Sequence, residues 1–255
     1  MSQFIHTRNG KKLAVVVDIP ENPRGLAFVL HGWRGFKEQP HIEAIAESFV
    51  ADDIVSVRLD TQNAGGESGG SVDDLTITGM QEDFEDTLAW AVTQLWFRTP
   101  FFVAGHSAGA HIVVRYAAQN PQAVCGVVSA SAIVDNDIFL SQHTPEEILD
   151  WKEKGYRMVQ SRTQNPTGAK MTWKFINSYN GVDLRKIAKD LTMPVLIIVG
   201  ENDSITGPAV QQLWFEKIAG LRTMHVIPNG RHTLIDASDL TEIKETVTGW
   251  LHELL

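Results

Sequence analysis

The chain has 255 residues, 43% hydrophobic and 21% charged, which is enough apolar material for one large core and too much for global disorder. Twenty-two basic residues against 31 acidic ones leave a formal net charge of −9, which argues against nucleic acid or an anionic membrane surface as the main partner. The only cysteine, Cys125, excludes an intramolecular disulfide, and in the apolar run 123–128 it reads as a packed core thiol.

No basic region followed by an apolar stretch opens the chain, so no signal peptide is expected. No run reaches the ~18 apolar residues needed to span a bilayer. A cytoplasmic protein without a membrane partner is the expectation. An oligomeric state is not readable, and a homo-oligomer stays open.

Residues 12–18 and 25–30 read as strands, and 40–50 as a helix with Ile42, Ile45, Ala46 and Phe49 on one face. Strand 54–59 leads into a glycine-rich loop, 61–72. A long helix is expected over 79–97, its acidic start (Glu82, Asp83, Glu85, Asp86) matching the helix dipole. Strand 101–105, helix 108–119 and strand 124–130 follow, with Asn120-Pro121 stopping the helix. After strand 194–199 come helix 208–219, strand 223–227 and helix 238–254. Apolar strands alternating with helices predict an α/β fold, a mostly parallel sheet covered on both faces.

Residues 136–187 break this rhythm. They hold helical-looking pieces with scattered aromatics (Phe139, Trp151, Tyr156, Trp173, Phe175, Tyr179), and Thr144-Pro145-Glu146-Glu147 is a strong helix start. The expected organisation is a core of 1–135 and 188–255, interrupted by a helical lid at 136–187.

The chemistry centres on Gly105-His106-Ser107-Ala108-Gly109, between a strand and a helix. This layout lifts a serine hydroxyl onto a sharp turn at a helix N-terminus. A serine needs a base, an orienting carboxylate and oxyanion donors. Asp203 lies just past strand 194–199, and His232 just past strand 223–227. Ser107, Asp203 and His232 therefore follow the chain order of a nucleophile-elbow hydrolase. Glu201 is the other candidate carboxylate, and Asp203 is preferred for its place in the turn. The oxyanion donors are expected to be the backbone N–H groups of Ala108 and of Trp33, in His31-Gly32-Trp33 after strand 25–30.

The remaining candidates are weaker. His31 reads as a structural member of the oxyanion loop, and with Gly32 it also borders the substrate. His106 and His111 read as packed, His111 against the sheet. The histidines show no metal-ligand spacing, so neither metal nor cofactor is expected. The run 64–70 lacks the ending of a phosphate-binding loop and reads as a tight structural turn.

These motifs resemble the α/β-hydrolases over nearly the whole length. Arg58-Leu59-Asp60, followed by Gly65-Gly66-Glu67-Ser68-Gly69-Gly70, is similar to bacterial cinnamoyl and feruloyl esterases and related short-chain carboxylesterases. The sequence differs from that group at Ala64, which displaces a glycine, and at Ala108, where many relatives carry glutamine. The resemblance implies a serine carboxylesterase acting on a small-molecule acyl or aryl ester, with Trp151 and Trp173 of the lid beside the substrate. Thioesterase, acyltransferase, amidase or aminopeptidase chemistry would use the same triad. A non-catalytic ligand-binding relative is the reading from another class.

Overall fold

Neighbouring side chains of a strand point to opposite faces, so an unbroken apolar run belongs to a strand covered on both sides. The computed structural model, which describes residues 1–159, 168–179 and 181–255, gathers these runs into one eight-stranded sheet. The first part of the core comprises β1 (Gln3–His6), β2 (Lys12–Asp18), β3 (Gly25–Leu30), α1 (Pro40–Ala51), β4 (Ile54–Leu59), α2 (Ile77–Ala91), β5 (Phe101–His106), α3 (Ala108–Gln119) and β6 (Val124–Ala130). The intervening segment holds α4 (Asn136–Leu140), α5 (Pro145–Lys154), β7 (Tyr156–Val159), β8 (Ala169–Thr172), α6 (Trp173–Asn177) and α7 (Leu184–Ile187). The core resumes with β9 (Val195–Gly200), α8 (Pro208–Phe215), β10 (Arg222–Ile227) and α9 (Ala237–Leu254).

The strand order is β1-β2-β4-β3-β5-β6-β9-β10. β2 runs antiparallel to β1 and β4, and all later neighbours are parallel. Leu26, Phe28 and Leu30 of β3 join one face with Val103 and Ile197, while Ala27 and Val29 join the other with Ala104 and Ile198. Phe84 on α2, Val113 on α3 and Trp214 on α8 cover the first face; Ile45 and Phe49 on α1 and Val247 and Leu251 on α9 cover the second. Each such buried side chain contributes about 1.5–3 kcal/mol. Among the described residues, no helix is long and apolar enough to cross a membrane.

Four local expectations need correction. β1 has no sequence signal, because it is an edge strand with a single inward residue, Ile5. The helix expected over 79–97 starts two residues earlier, where Thr76 Oγ1 accepts the Gly79 N–H, and it stops at Ala91. Turns then fold Trp96 back onto Trp90, with ring centroids 5.6 Å apart. The intervening segment is not wholly helical: Gly155, at φ 77°, ends α5, and β7 and β8 pair antiparallel. Cys125 is only partly buried, beside a groove of about 300 Å³ at the opposite end of the sheet from Ser107. Burial pushes its thiol up to about 11.

A buried ion pair joins the loops that leave β3 and β4. Lys37 and Asp60 have fully buried side chains, with Nζ donating to Asp60 Oδ2 at 2.8 Å. The Lys37 backbone N–H donates to Asp60 Oδ1 at 2.7 Å, and the Glu67 N–H to Asp60 Oδ2 at 2.8 Å. Burial alone would lower the ammonium pKa, but hydrogen bonds to Asp60, Glu38 and Glu67 outweigh it and hold the group charged. A Cβ on Gly66 would lie 2.3 Å from the Asp60 carboxyl carbon, so the glycine-rich run wraps that carboxylate.

Four histidines are buried with their pKa values lowered by burial, His31 of the loop after β3 among them. His41 on α1 packs its ring 4.4 Å from that of His106, and burial drives its pKa well below the usual imidazole value. Burial takes His106 down to about 3 and His111 to about 4. His111 Nδ1 bonds the Ile133 carbonyl at 2.8 Å, and its ring meets Tyr179 of the inserted segment, at 5.0 Å between centroids, a neighbour the sequence does not indicate.

Two predictions follow from this packing. Lys37→Ala strands a buried carboxylate and is expected to cost about 3–5 kcal/mol in urea unfolding, while Lys154→Ala, which breaks an exposed pair with Asp150, costs under about 0.5 kcal/mol. Acid should also weaken the fold. Below about pH 6.5 the unfolded chain binds protons at these four histidines that the folded chain resists, so their contribution is complete above that pH and falls as pH drops. Each adds a slope that rises to at most about 1.4 kcal/mol per pH unit as pH falls toward 5. Asp83, raised to about 7 by burial and then by Asp86 and Glu82, works oppositely between about pH 4 and 7 and offsets one of them. Urea unfolding between about pH 5 and 6.5 checks the slope, and His111→Leu should flatten it by one histidine's share.

Candidate active site

Three backbones meet where β5 turns into α3. A Cβ on Gly105 would lie 2.6 Å from the Gly109 carbonyl carbon, and one on Gly109 would lie 2.3 Å from the His31 carbonyl oxygen. Only glycine fits at either position. Between them Ser107 takes φ 55°, ψ −114°, a strained conformation for a residue with a side chain. The Ser107 N–H donates to the Ala130 carbonyl at 2.8 Å, and its own carbonyl accepts the His111 N–H at 3.0 Å.

The two downstream residues reach Ser107 from neighbouring parallel strands. A Cβ on Gly200 would lie 2.4 Å from the Gly230 carbonyl carbon, so the β9 and β10 exits pass in close contact. Ser107 Oγ lies 2.9 Å from His232 Nε2, and His232 Nδ1 lies 2.9 Å from Asp203 Oδ2. With Nδ1–H donating to the carboxylate, Nε2 is free to accept the serine proton. Asp203 Oδ1 accepts the Ile205 and Thr206 N–H groups at 2.8 and 2.9 Å. Burial alone would raise the Asp203 pKa, but His232 and these hydrogen bonds outweigh it and hold the carboxyl well below the usual range. Glu201 instead accepts the Asn229 N–H.

Two contacts here have no sequence signal. His106 Nε2 lies 2.7 Å from the His232 carbonyl, where it donates across 126 positions of chain. Thr206 Oγ1 lies 2.9 Å from Asp203 Oδ2 and 3.3 Å from His232 Nδ1.

The loop after β3 is fixed by its own histidine. His31 Nδ1 bonds the Gly32 carbonyl at 2.8 Å, and Nε2 accepts the Thr61 N–H at 3.1 Å. Fully buried and bonded at both nitrogens, His31 has no atom left for a substrate, which corrects its place among the substrate contacts. A Cβ on Gly32 would lie 3.1 Å from Ser107 Cβ, so the loop backbone runs beside the nucleophile position. The N–H groups of Trp33 and Ala108 have no acceptor among the described residues.

Trp151 also needs correction as a substrate contact. It is 1% exposed, donates Nε1–H to the Met171 carbonyl at 2.9 Å, and packs on Trp173 at 5.6 Å between centroids. It forms the inserted segment's own core. Trp173 is half-buried, with the Lys152 ammonium 5.0 Å from its ring centroid. Phe175, which the sequence does not single out as a site residue, reaches the loop after β3 instead, 6.3 Å from Trp33 between centroids.

A family model described as serine aminopeptidase, S33, matches residues 21–167. A second, described as PhoPQ-activated pathogenicity-related protein, matches residues 146–253. A monoacylglycerol lipase of Mycolicibacterium smegmatis is 24% identical over 251 residues, covering 90% of this chain and 89% of that protein. The ferulic acid-bound structure of Est1E from Butyrivibrio proteoclasticus superposes with a TM-score of 0.81 at 20% identity, over 99% of this chain and 98% of that one. Mouse alpha/beta hydrolase domain-containing protein 10 superposes with a TM-score of 0.78 at 15% identity, over the full length of both chains. With a family match over more than half its length and this fold, the chain belongs to the serine aminopeptidase S33 family and is a serine hydrolase of the α/β-hydrolase class.

Proposed function

We propose that this protein is a carboxylesterase for small acyl or aryl esters, working through an acyl-enzyme on Ser107. The reading is carried by the two 2.9 Å contacts that line up Ser107, His232 and Asp203. His232 takes the Ser107 proton as the hydroxyl attacks the ester carbonyl, then returns it to the leaving alcohol. Asp203 holds Nδ1–H toward itself and stabilises the imidazolium. The N–H groups of Ala108 and Trp33, unpaired among the described residues, receive the developing oxyanion, each worth roughly 3–4 kcal/mol of barrier. Water then repeats the sequence on the acyl-enzyme.

Residues 136–187 act as a lid in this reading. The segment carries an open groove of about 590 Å³ lined in part by Leu140, Pro145, Ile148 and Leu149. Gln142 ties it to the Asp203 turn by donating to the Ile205 carbonyl at 2.8 Å. The likeness to a monoacylglycerol lipase supports an ester over an amide. The description of the family model favours the amide, so aminopeptidase activity is the second reading.

Steady-state hydrolysis of p-nitrophenyl esters from acetate to laurate, with methyl ferulate and alanine p-nitroanilide beside them, separates the two. Turnover of short or aryl esters is expected; turnover of the anilide alone would replace the esterase reading. Ser107→Ala and His232→Ala should each lower kcat by roughly 10⁴-fold or more without unfolding the protein. Trp33→Ala should lose less than about ten-fold, because the proposed donor is backbone.

A further inference from the structure

Asp203 is held at every lone-pair direction, and one of its four partners belongs to neither the base nor the backbone. The Thr206 hydroxyl is 2.9 Å from Asp203 Oδ2, the same oxygen that accepts His232 Nδ1–H. It is also 3.1 Å from the Ser131 carbonyl and 3.3 Å from His232 Nδ1. Thr206 is 2% exposed, so no bulk water competes for these contacts.

The placement of this hydroxyl is rigid. The Thr206 N–H is held by Asp203 Oδ1, and its carbonyl accepts Gln211 Nε2–H at 2.8 Å. Gln211 is itself fully buried, with Nε2 also donating to the Ala132 carbonyl at 2.8 Å and Oε1 accepting Trp214 Nε1–H at 2.9 Å. The Ser131 carbonyl is fixed as well: Ser131 has φ 48°, and its N–H donates to the Ile198 carbonyl at 2.8 Å. α8, β6 and β9 therefore converge on one oxygen atom beside the carboxylate.

We propose that Thr206 is a positioning residue for the base, its hydroxyl fixing Asp203 Oδ2 in line with His232 Nδ1. This rests on the Ser107–His232–Asp203 reading given above. A carboxylate held only through Oδ1 can pivot about that oxygen. A donor on Oδ2 stops that motion and keeps the second oxygen on the imidazole. The Thr206 oxygen also offers Nδ1–H a weaker second acceptor, which restricts the tilt of the ring.

The test compares shape with hydroxyl. Thr206→Val keeps the shape and loses the hydroxyl; Thr206→Ser keeps the hydroxyl and loses a methyl. A fluorophosphonate reagent reports the reactivity of Ser107 without a natural substrate. Thr206→Val should label about ten-fold more slowly and Thr206→Ser at close to the wild-type rate. With p-nitrophenyl acetate the loss should fall on kcat, with KM within about two-fold. In proton NMR, the downfield Nδ1–H signal of His232, identified by its loss in His232→Gln, should move in Thr206→Val and stay in Thr206→Ser. A side chain that only fills space would give the reverse ranking. Wild-type labelling and an unmoved signal in Thr206→Val overturn this inference alone; absence of Ser107 labelling in the wild type overturns the triad reading and this inference with it.

Discussion

The approach of three backbones at Gly105, Gly109 and His31 is the constraint on which the site depends. A Cβ at 109 would sit 2.3 Å from a carbonyl oxygen of the loop after β3, so α3 enters the sheet at a distance no side chain allows. This approach holds Ser107 at φ 55° and brings the loop after β3 beside it. Strained backbone of this kind costs about 1–3 kcal/mol and persists only where its surroundings leave no alternative. Here those surroundings are β3, β5 and β6, whose apolar residues between Leu26 and Ala130 are almost all fully buried. The position of the serine is thus decided by main-chain packing, and the side chains around it are fitted to that position.

A second glycine pair does the same for His232. Gly200 and Gly230 bring the β9 and β10 exits into contact, and His106 then bonds the His232 carbonyl from the other side. The low pKa of His106 matters for this contact. A second imidazolium 5.1 Å from the His232 ring would oppose the charge that the proposed mechanism places there. Burial keeps His106 neutral, so it serves as a neutral donor to the loop while adding no charge. The same burial makes the protein sensitive to acid, because the unfolded chain gains protons that the core refuses.

The legible part of the sequence is the part with local causes. Runs such as Val195–Gly200 are apolar at every position and read as covered strands, and the turn residues after them stand out as polar. β1, by contrast, buries one residue of four, and β7 and β8 have mixed composition, so neither rises above the loops around it. The end of α2 depends on Trp96 folding back on Trp90, which no cap announces. Trp151 looks like a substrate wall in a list of lid aromatics, yet its indole bonds Met171 and faces inward. Lys37 with Asp60, His106 with His232 and Thr206 with His232 join separate loops or elements, and only strand register brings most of these together. Polar groups whose partners lie a long way off in sequence carry no local signature.

The inserted segment is joined to the core in a way that separates two tasks. At its base, Arg185 bridges Asp135 and Asp183 at 2.7 and 2.9 Å, and the Leu184 N–H donates to the Val134 carbonyl, so both ends leave the sheet together. Ser107, Asp203 and His232 all stand on turns at strand ends of the core, and none lies within the segment. Changes in its outer helices that spare Gln142, which donates to the Ile205 carbonyl, therefore leave the hydrogen-bonded line intact. Its inner side is different, because Phe175 packs against Trp33 and Tyr179, and Tyr179 packs against His111 on the helix that starts at Ala108. This aromatic row runs from one proposed oxyanion donor to the helix that bears the other. Outer positions are free to change the groove, while inner positions are bound to the geometry around Trp33 and Ala108. A segment built this way can diversify its surface without disturbing the reacting centre, provided that row stays packed.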